Sequence, residues 1–527
     1  MGRTEDRLNT VELTNVVGQP PATSGQCLHP RLGRRQFLRA GVVAGLTATA
    51  IDPWGRRAAL AMAPEGEGEV PDMRLGATEL VVQPVLMYSI PRRREGSSWR
   101  NWGGLQTQEA VDKEAARIDQ ELKQLSTSAD FGVRMLPVAK VHSNGQVAAL
   151  KDGKPDVVLV YAAGGGGSTL SALTGVGKWT VIFVRYRSGP YYLWHEIVHA
   201  RFLRSHTDHL KHTSLDFNDV VVDDSNEILW RLRALYGLKN ILGRKIVCIG
   251  GPGGWSCRNA PDLARERFGL EMITVAIRDL NVIIEAGRKD GQLMARCAKE
   301  AKDYLGGNGV KLSTPEAAVT EAFLLRKIFA DLMAKSGAFA VTVRGCMGSY
   351  AGIMPCMTLT LINDSGQMAY CEGDFVVIPS GILLHYIAGK PTYLCNPTYP
   401  HNGRMMFAHC TAPRRMDGRT LAPVEIVTHY ESDHGVATHV QFRKDQKLTI
   451  IKPDFEAKNW LGLTGKIIDT PFPDTCRAQV EVELDADTQD VLKNMRGFHC
   501  MLAYGDYTKE VAYAAKKVGI TLQTLEQ

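Results

Sequence analysis

The alternation of short apolar strands with helical segments over the first two thirds of the chain constrains its fold most strongly. Apolar runs at 156–161, 179–184 and 245–250 are each followed by a glycine-containing loop or by a helical pattern. Strands that alternate with helices predict parallel sheets. After Gly345 the helical stretches thin out, and short alternating runs such as 479–484 predict antiparallel strands in a barrel.

We therefore predict an α/β protein with two Rossmann-like parallel α/β domains followed by a β-rich, barrel-like C-terminal domain. The chain has 527 residues, which is too long for a single core. The changes of pattern put the N-terminal α/β domain at 75–242, the second α/β domain at 243–345 and the β-rich domain at 346–527.

The N-terminal region, residues 1–63, has the features of an export signal. The run Arg34-Arg35-Gln-Phe-Leu-Arg39 resembles the core of a twin-arginine signal, and small-residue sites follow around Ala61. The apolar run 40–51 has about 12 residues, fewer than the ~20 of a membrane span. We expect an exported, periplasmic or extracytoplasmic protein with no stable membrane span after signal removal. The alternative is a disordered basic tail.

Composition narrows the functional classes. A hydrophobic content of 44%, a charged content of 22% and a net charge of +6 are those of a soluble globular protein. Nucleic-acid binding has no support, because no basic tract with interleaved aromatic residues is present. The 11 cysteines are scattered without a C-x-x-C pair, which argues against a disulfide framework and a zinc ribbon. Cys248 and Cys356 lie in apolar runs typical of reduced core residues.

One short motif predicts a different kind of protein. His195-Glu196-Ile-Val-His199 is an H-E-x-x-H sequence on a predicted helix, where two histidines one turn apart could bind zinc beside a general base. The longer metzincin pattern fails, since Leu203 and Ser205 occupy its glycine and third-histidine positions. A zinc metallopeptidase remains the less favoured alternative.

Polar residues in the apolar C-terminal third indicate a metal site. They include Glu372, Asp374, Asn396, His409 and, much later, His499. Of these, Glu372, Asn396 and His409 fall near predicted strand ends or entries, where they could converge. Burying such groups is costly unless they are paired or bind a metal. Oxygen and nitrogen donors favour Mn²⁺ or Mg²⁺ over structural zinc. The alternative is a solvated turn at 372–374 with a satisfied core histidine at His409.

The C-terminal third also resembles the C-terminal domain of the L-fucose isomerase and L-arabinose isomerase superfamily, in particular its divergent fucose isomerase-like group. The resemblance is carried by Pro355-Cys356, Asn363-Asp364-x-Gly366, Cys371-Glu372-x-Asp374, Gly389-Lys-Pro391, Ala408-His409-Cys410-x-x-Pro413, His429-Tyr430-Glu431-Ser432, Cys476-Arg477 and Phe498-His499-Cys500. The two preceding α/β units fit the N-terminal domains of that superfamily.

The resemblance implies metal-assisted aldose–ketose isomerisation of a monosaccharide through an enediol. The divalent metal would be Mn²⁺ in the first place, with Mg²⁺ or Co²⁺ possible. Glu372 matches the first acidic ligand and acid/base, His499 matches the late histidine ligand, and His409 matches an additional histidine. The superfamily also implies a homotrimer or homohexamer.

One departure from the family pattern bears on activity. Asn396 stands where the family places its second acid, and an amide can coordinate a metal but cannot act as a base. Asp374 is a candidate replacement. A catalytically degenerate carbohydrate-binding protein of the same fold is therefore the main alternative to an active isomerase.

Overall fold

The computed structural model describes residues 70–192, 215–345 and 350–525. The predicted twin-arginine signal and the His195-Glu196-His199 motif both lie outside these ranges, and they stay predictions. Within the described ranges, no helix combines the length and apolar character needed to cross a membrane.

In the described part of the chain, the first sheet has six strands, and all of their pairings are parallel. β1 and β4 at its centre are buried along their whole length, as expected for strands covered on both faces. The strands are β1 Leu80–Met87, β2 Val133–Met135, β3 Ala139–Val141, β4 Val157–Ala162, β5 Trp179–Val184 and β6 Val220–Val222. The accompanying helices are α1 Gln108–Ser128, α2 Gly167–Leu173 and α3 Ser225–Ile241, with 3₁₀ turns at Asn144–Gln146, Ala148–Gly153 and Phe217–Asp219.

The second sheet is also parallel, with the strand order β11-β10-β7-β8. Its strands are β7 Lys245–Ile249, β8 Glu271–Val275, β10 Ala340–Val343 and β11 Met368–Tyr370. Its helices are α4 Ala260–Phe268, α5 Ile277–Lys289, α6 Gly291–Leu305 and α7 Glu316–Ser336. The two parallel sheets confirm the prediction of Rossmann-like α/β structure. β11 belongs to this sheet although it lies beyond residue 345, and the domain boundaries stay predictions.

The C-terminal region contains a closed antiparallel barrel, which confirms the predicted architecture at this level. The strand order is β16-β19-β12-β13-β18-β17, and β17 pairs back with β16 to close the ring. The ring strands are β12 Tyr393–Pro397, β13 Arg404–His409, β16 Lys447–Pro453, β17 Asn459–Asp469, β18 Ala478–Leu484 and β19 Cys500–Tyr504. β20 Thr521–Thr524 adds to β17 in parallel, and the helices α10 Thr488–Asn494 and α11 Thr508–Lys516 belong to the same region.

A small third sheet joins distant parts of the chain. β14 Val424–Val427 pairs with both β9 Val310–Leu312 and β15 Ala437–Val440. Two further helices, α8 Cys356–Asp364 and α9 Ile378–Ala388, flank β11 in sequence. All residues of α8 and α9 are buried, so both helices lie inside the molecule.

The apolar and threonine-containing run 352–362 predicts a strand. This prediction is wrong, because α8 occupies most of that segment. A helix buried on every side has no polar face, so the helical period disappears from its sequence. The threonines in this segment look like strand residues, yet their hydroxyls are satisfied by neighbouring backbone. Thr358 donates to the Ala322 carbonyl and Thr360 to the Ala412 carbonyl, both at 3.0 Å.

Candidate metal centre

Glu372 lies on a tight turn at the carboxyl end of β11. Glu372 and Gly373 have φ values of 65° and 60°, in the left-handed region that costs a non-glycine residue about 1 kcal/mol. Such outliers concentrate at functional sites. The turn is fixed to the loop after β7, since Gly253 donates to the Gly373 carbonyl at 2.9 Å and accepts from Phe375 at 3.1 Å. Glu372 is thus held at the edge of a parallel sheet where ligands typically bind.

Two histidines from the barrel contact the two oxygens of this carboxylate. His409 ends β13, and its Nε2 lies 3.4 Å from Glu372 Oε1. His499 immediately precedes β19, and its Nε2 lies 3.0 Å from Glu372 Oε2. The Glu372 side chain is 9% exposed, and both imidazoles are buried. The structure therefore brings together three residues that are far apart in sequence.

Asp374 contacts the other nitrogen of His499. Its Oδ2 lies 2.7 Å from Nδ1, while its Oδ1 accepts a hydrogen bond from the Val376 amide at 3.0 Å. When His499 Nδ1 donates its proton to Asp374, the other ring nitrogen, Nε2, faces Glu372. This is the carboxylate–histidine arrangement that orients metal ligands in proteins. Asp374 is only 1% exposed, so it is a positioning residue rather than a group that meets a substrate.

The electrostatics keep Glu372 ionised. Burial opposes its charged form, but hydrogen bonds with His409 and His499 outweigh burial and hold the pKa of this carboxyl well below its usual range. Burial likewise opposes the charged form of His499, whereas its hydrogen bonds to Asp374 and Glu372 raise the pKa of the imidazole. An anionic oxygen donor is therefore available at this centre.

Trp255, which the sequence interpretation did not assign, completes the contacts of Glu372. Its indole Nε1 donates to Glu372 Oε2 at 2.7 Å. Its ring lies 4.7 Å from the Phe498 ring and 5.7 Å from the His499 ring. Trp255 is 55% exposed and Phe498 41% exposed, so two aromatic faces border the centre. The available signal was a tryptophan directly after the Gly251-Pro-Gly-Gly loop.

Asn396 lies in β12, the strand that pairs with the His409 strand β13, but in a different environment. It pairs in β12 with Ala408, one residue away from the Cys395–Cys500 pair. It also lines an open depression of about 480 Å³ that includes Phe498. The structure thus brings together Glu372, Asp374 and both histidines, with Asn396 nearby in the sheet.

Donor atoms of potential metal ligands converge at this centre. His499 Nε2 and His409 Nε2 lie 3.0 and 3.4 Å from different oxygens of Glu372. The Cys371 thiol forms a further group with Glu372 and His409, whose donor atoms lie within 4.8 Å of one another. A sulfur donor was not expected at this centre. It would shift the preference from Mn²⁺ towards Zn²⁺ or Co²⁺.

Comparison with known proteins adds no family assignment. The sequence matches no protein-family model, and the search of curated proteins finds no relative. Membership of the sugar isomerase superfamily therefore stays a prediction from motifs, and function must be inferred from the geometry of the centre.

Proposed function

We propose that this chain is a sugar isomerase-like protein that interconverts an aldose and a ketose with the help of a divalent metal. The observation that supports it is the meeting of Glu372, His409 and His499 at the edge of the second sheet, with separations of 3.0 and 3.4 Å. Aldose–ketose conversion needs a carboxylate base beside a group that polarises a carbonyl. The centre offers an ionised carboxylate together with metal-binding nitrogens.

The proton transfer is assigned to Glu372. Its carboxylate removes the proton from carbon 2 of the aldose, which gives an enediol, and returns a proton to carbon 1. The hydroxyl proton moves from oxygen 2 to oxygen 1, so the reaction is redox-neutral overall. A bound divalent ion would polarise the carbonyl and acidify the neighbouring C–H bond. Asp374 is not suited to this role, because it is hydrogen-bonded to His499 and is almost fully buried. This leaves Glu372 as the carboxylate for proton transfer.

The exposed aromatic pair supports a carbohydrate substrate. The face of an aromatic ring carries partial negative charge and attracts the weakly positive C–H groups of a sugar ring. Trp255 and Phe498 present such faces next to the Glu372 carboxylate. A monosaccharide stacked on Trp255 would have its hydroxyls within reach of the polar centre.

A carbohydrate-binding protein without turnover is the second candidate. Asn396 cannot act as a base, and Asp374 is held by His499. One carboxylate is then left for both proton-transfer steps. Loss of a general acid or base typically lowers a rate by about 10²–10⁴-fold.

The test is to incubate the purified mature protein with Mn²⁺, Co²⁺ or Zn²⁺ and a panel of aldoses in D₂O. The isomerase proposal predicts ketose formation with deuterium at the exchanged carbon, lost in Glu372→Gln and kept in the control Glu425→Gln. Glu425 pairs with Lys311 and Ser313 outside the centre. Sugar binding by calorimetry without deuterium exchange would favour the second candidate. Neither binding nor exchange with any sugar would contradict both.

A gain-of-function variant separates the two candidates further. If the amide at position 396 limits the rate, Asn396→Asp should increase ketose formation while leaving the affinity for the sugar similar. Unchanged turnover in this variant would show that Asn396 is not the limiting residue.

A further inference from the structure

A second group of metal-binding side chains lies in the core, apart from the Glu372 centre. Cys356, Cys410 and His429 each offer a donor atom, and these atoms lie within 4.8 Å of one another. All three side chains are fully buried. The Cys476 thiol packs against this group and contacts the Cys410 thiol. Three sulfur atoms and one imidazole are therefore collected in one small volume.

These four residues come from four different parts of the fold. Cys356 is the first residue of α8, and Cys410 directly follows β13. His429 lies in the loop between β14 and β15, and Cys476 comes just before β18. A group that bonded to all four would tie the barrel, the small third sheet and a buried helix to each other. Such cross-linking is the usual role of a structural metal.

The surroundings of the group suit metal-bound thiolate and imidazole. His429 Nδ1 lies 3.0 Å from the Ser432 hydroxyl oxygen, a contact that orients the imidazole. The Arg477 backbone amide donates to Cys410 Sγ at 3.4 Å, which stabilises negative charge on sulfur. The Arg477 guanidinium is fixed nearby by its hydrogen bond to the Thr428 carbonyl at 2.9 Å.

We propose that Cys356, Cys410 and His429, with Cys476 as the fourth donor, form a structural zinc site. Structural Zn²⁺ is bound by four nitrogen and sulfur donors, and here three of the donors are buried while Cys476 is partly buried beside them. On binding, each coordinating thiol loses its proton to solvent as its sulfur bonds to the ion, and no residue is oxidised or reduced. The site would also support the Glu372 centre, because Cys410 is the chain neighbour of His409.

Cobalt spectroscopy on the full mature chain tests this site. Co²⁺ bound by thiolates gives a strong near-ultraviolet charge-transfer band, which carboxylate and imidazole ligands do not give. Because Cys371 belongs to the other centre, the measurement is made in a Cys371→Ser background, with protein purified under reducing conditions. Cys410→Ser and Cys356→Ser are compared there with Cys297→Ala, whose buried thiol lies on α6.

The proposal predicts one tightly held zinc per chain and a charge-transfer band in the Cys371→Ser and Cys297→Ala proteins. Both signals should fall at least tenfold in Cys410→Ser and in Cys356→Ser. X-ray absorption at the zinc edge of the Cys371→Ser protein, in which the Glu372 centre offers no thiol, should show sulfur at about 2.3 Å. Absence of zinc–sulfur scattering after zinc loading, or a band that disappears with Cys371→Ser alone, would overturn the proposal.

Discussion

Replacing Asp374 by asparagine should weaken metal binding at the Glu372 centre without emptying it. The amide oxygen can still accept from His499 Nδ1, so the 2.7 Å hydrogen bond changes from charge-assisted to neutral, while the amide nitrogen faces the Val376 N–H and that second hydrogen bond is lost. A charge-assisted hydrogen bond contributes about 1.5–3 kcal/mol, roughly twice a neutral one. The expected loss of about 1–1.5 kcal/mol corresponds to an affinity for the divalent ion that is about tenfold lower. This is at the lower end of the effects seen when a residue that orients a metal-binding histidine is replaced.

The assay is isothermal titration of the metal-free protein with Mn²⁺ and with Co²⁺ at neutral pH. Asp364→Asn is the matched control, since Asp364 is also buried and accepts from the Arg415 backbone amide at 2.9 Å, but belongs to a different part of the core. The control should bind metal as the unmutated protein does. Equal affinities for Asp374→Asn and the unmutated protein would refute a positioning role for Asp374. Complete loss of binding would instead indicate that Asp374 is itself a ligand.

Three further predictions concern stability and substrate binding. Glu114→Ala should lower the free energy of unfolding by about 3 kcal/mol, because among the described residues it leaves Glu121 as the one carboxylate partner of the buried Arg185 charge. A decrease of less than ~1 kcal/mol in urea unfolding would contradict this. Burial lowers the pKa of His385 from 6.5 to about 4. As the pH falls, the unfolded chain therefore protonates His385 before the folded chain does. The contribution of the neutral His385 to the free energy of unfolding is complete above pH 6.5, and it decreases by about 3 kcal/mol as the pH falls towards 4. His385→Phe should lack that decrease in urea unfolding measured across this range, and an unchanged pH profile would count against it. Trp255→Ala should weaken sugar binding about tenfold, whereas Trp255→Phe, which keeps an aromatic face, should weaken it less; equal dissociation constants for the two variants would argue against stacking.

Local pattern in the sequence was sufficient for elements with a clear period or composition. The burial of α1 at every third or fourth residue and the mainly apolar sequences of β1 and β4 could be predicted, because each element carries its own signal. The positions of Glu372 and His409 at strand ends could be predicted for the same reason. The buried helix α8 was missed, because burial on all sides removes the helical period from its sequence.

The missed parts of the centre depend on contacts between distant segments. Trp255 reaches Glu372 only because the loop after β7 is hydrogen-bonded to the turn after β11. Asp374 was considered as a replacement acid, but its position beside His499 Nδ1 follows from the approach of the barrel to the second sheet. Nothing in the local sequence around Trp255 or Asp374 encodes these distances, so tertiary structure was needed to assign them.

The most direct test of the central claim is a crystal structure of the protein soaked with Mn²⁺ and measured at a wavelength with manganese anomalous scattering. A single ion bound by a Glu372 oxygen and by ring nitrogens of His409 and His499, each at about 2.0–2.3 Å, is the predicted result. A saturating soak that gives no anomalous peak between these three side chains, or a peak only at other residues, would contradict the account.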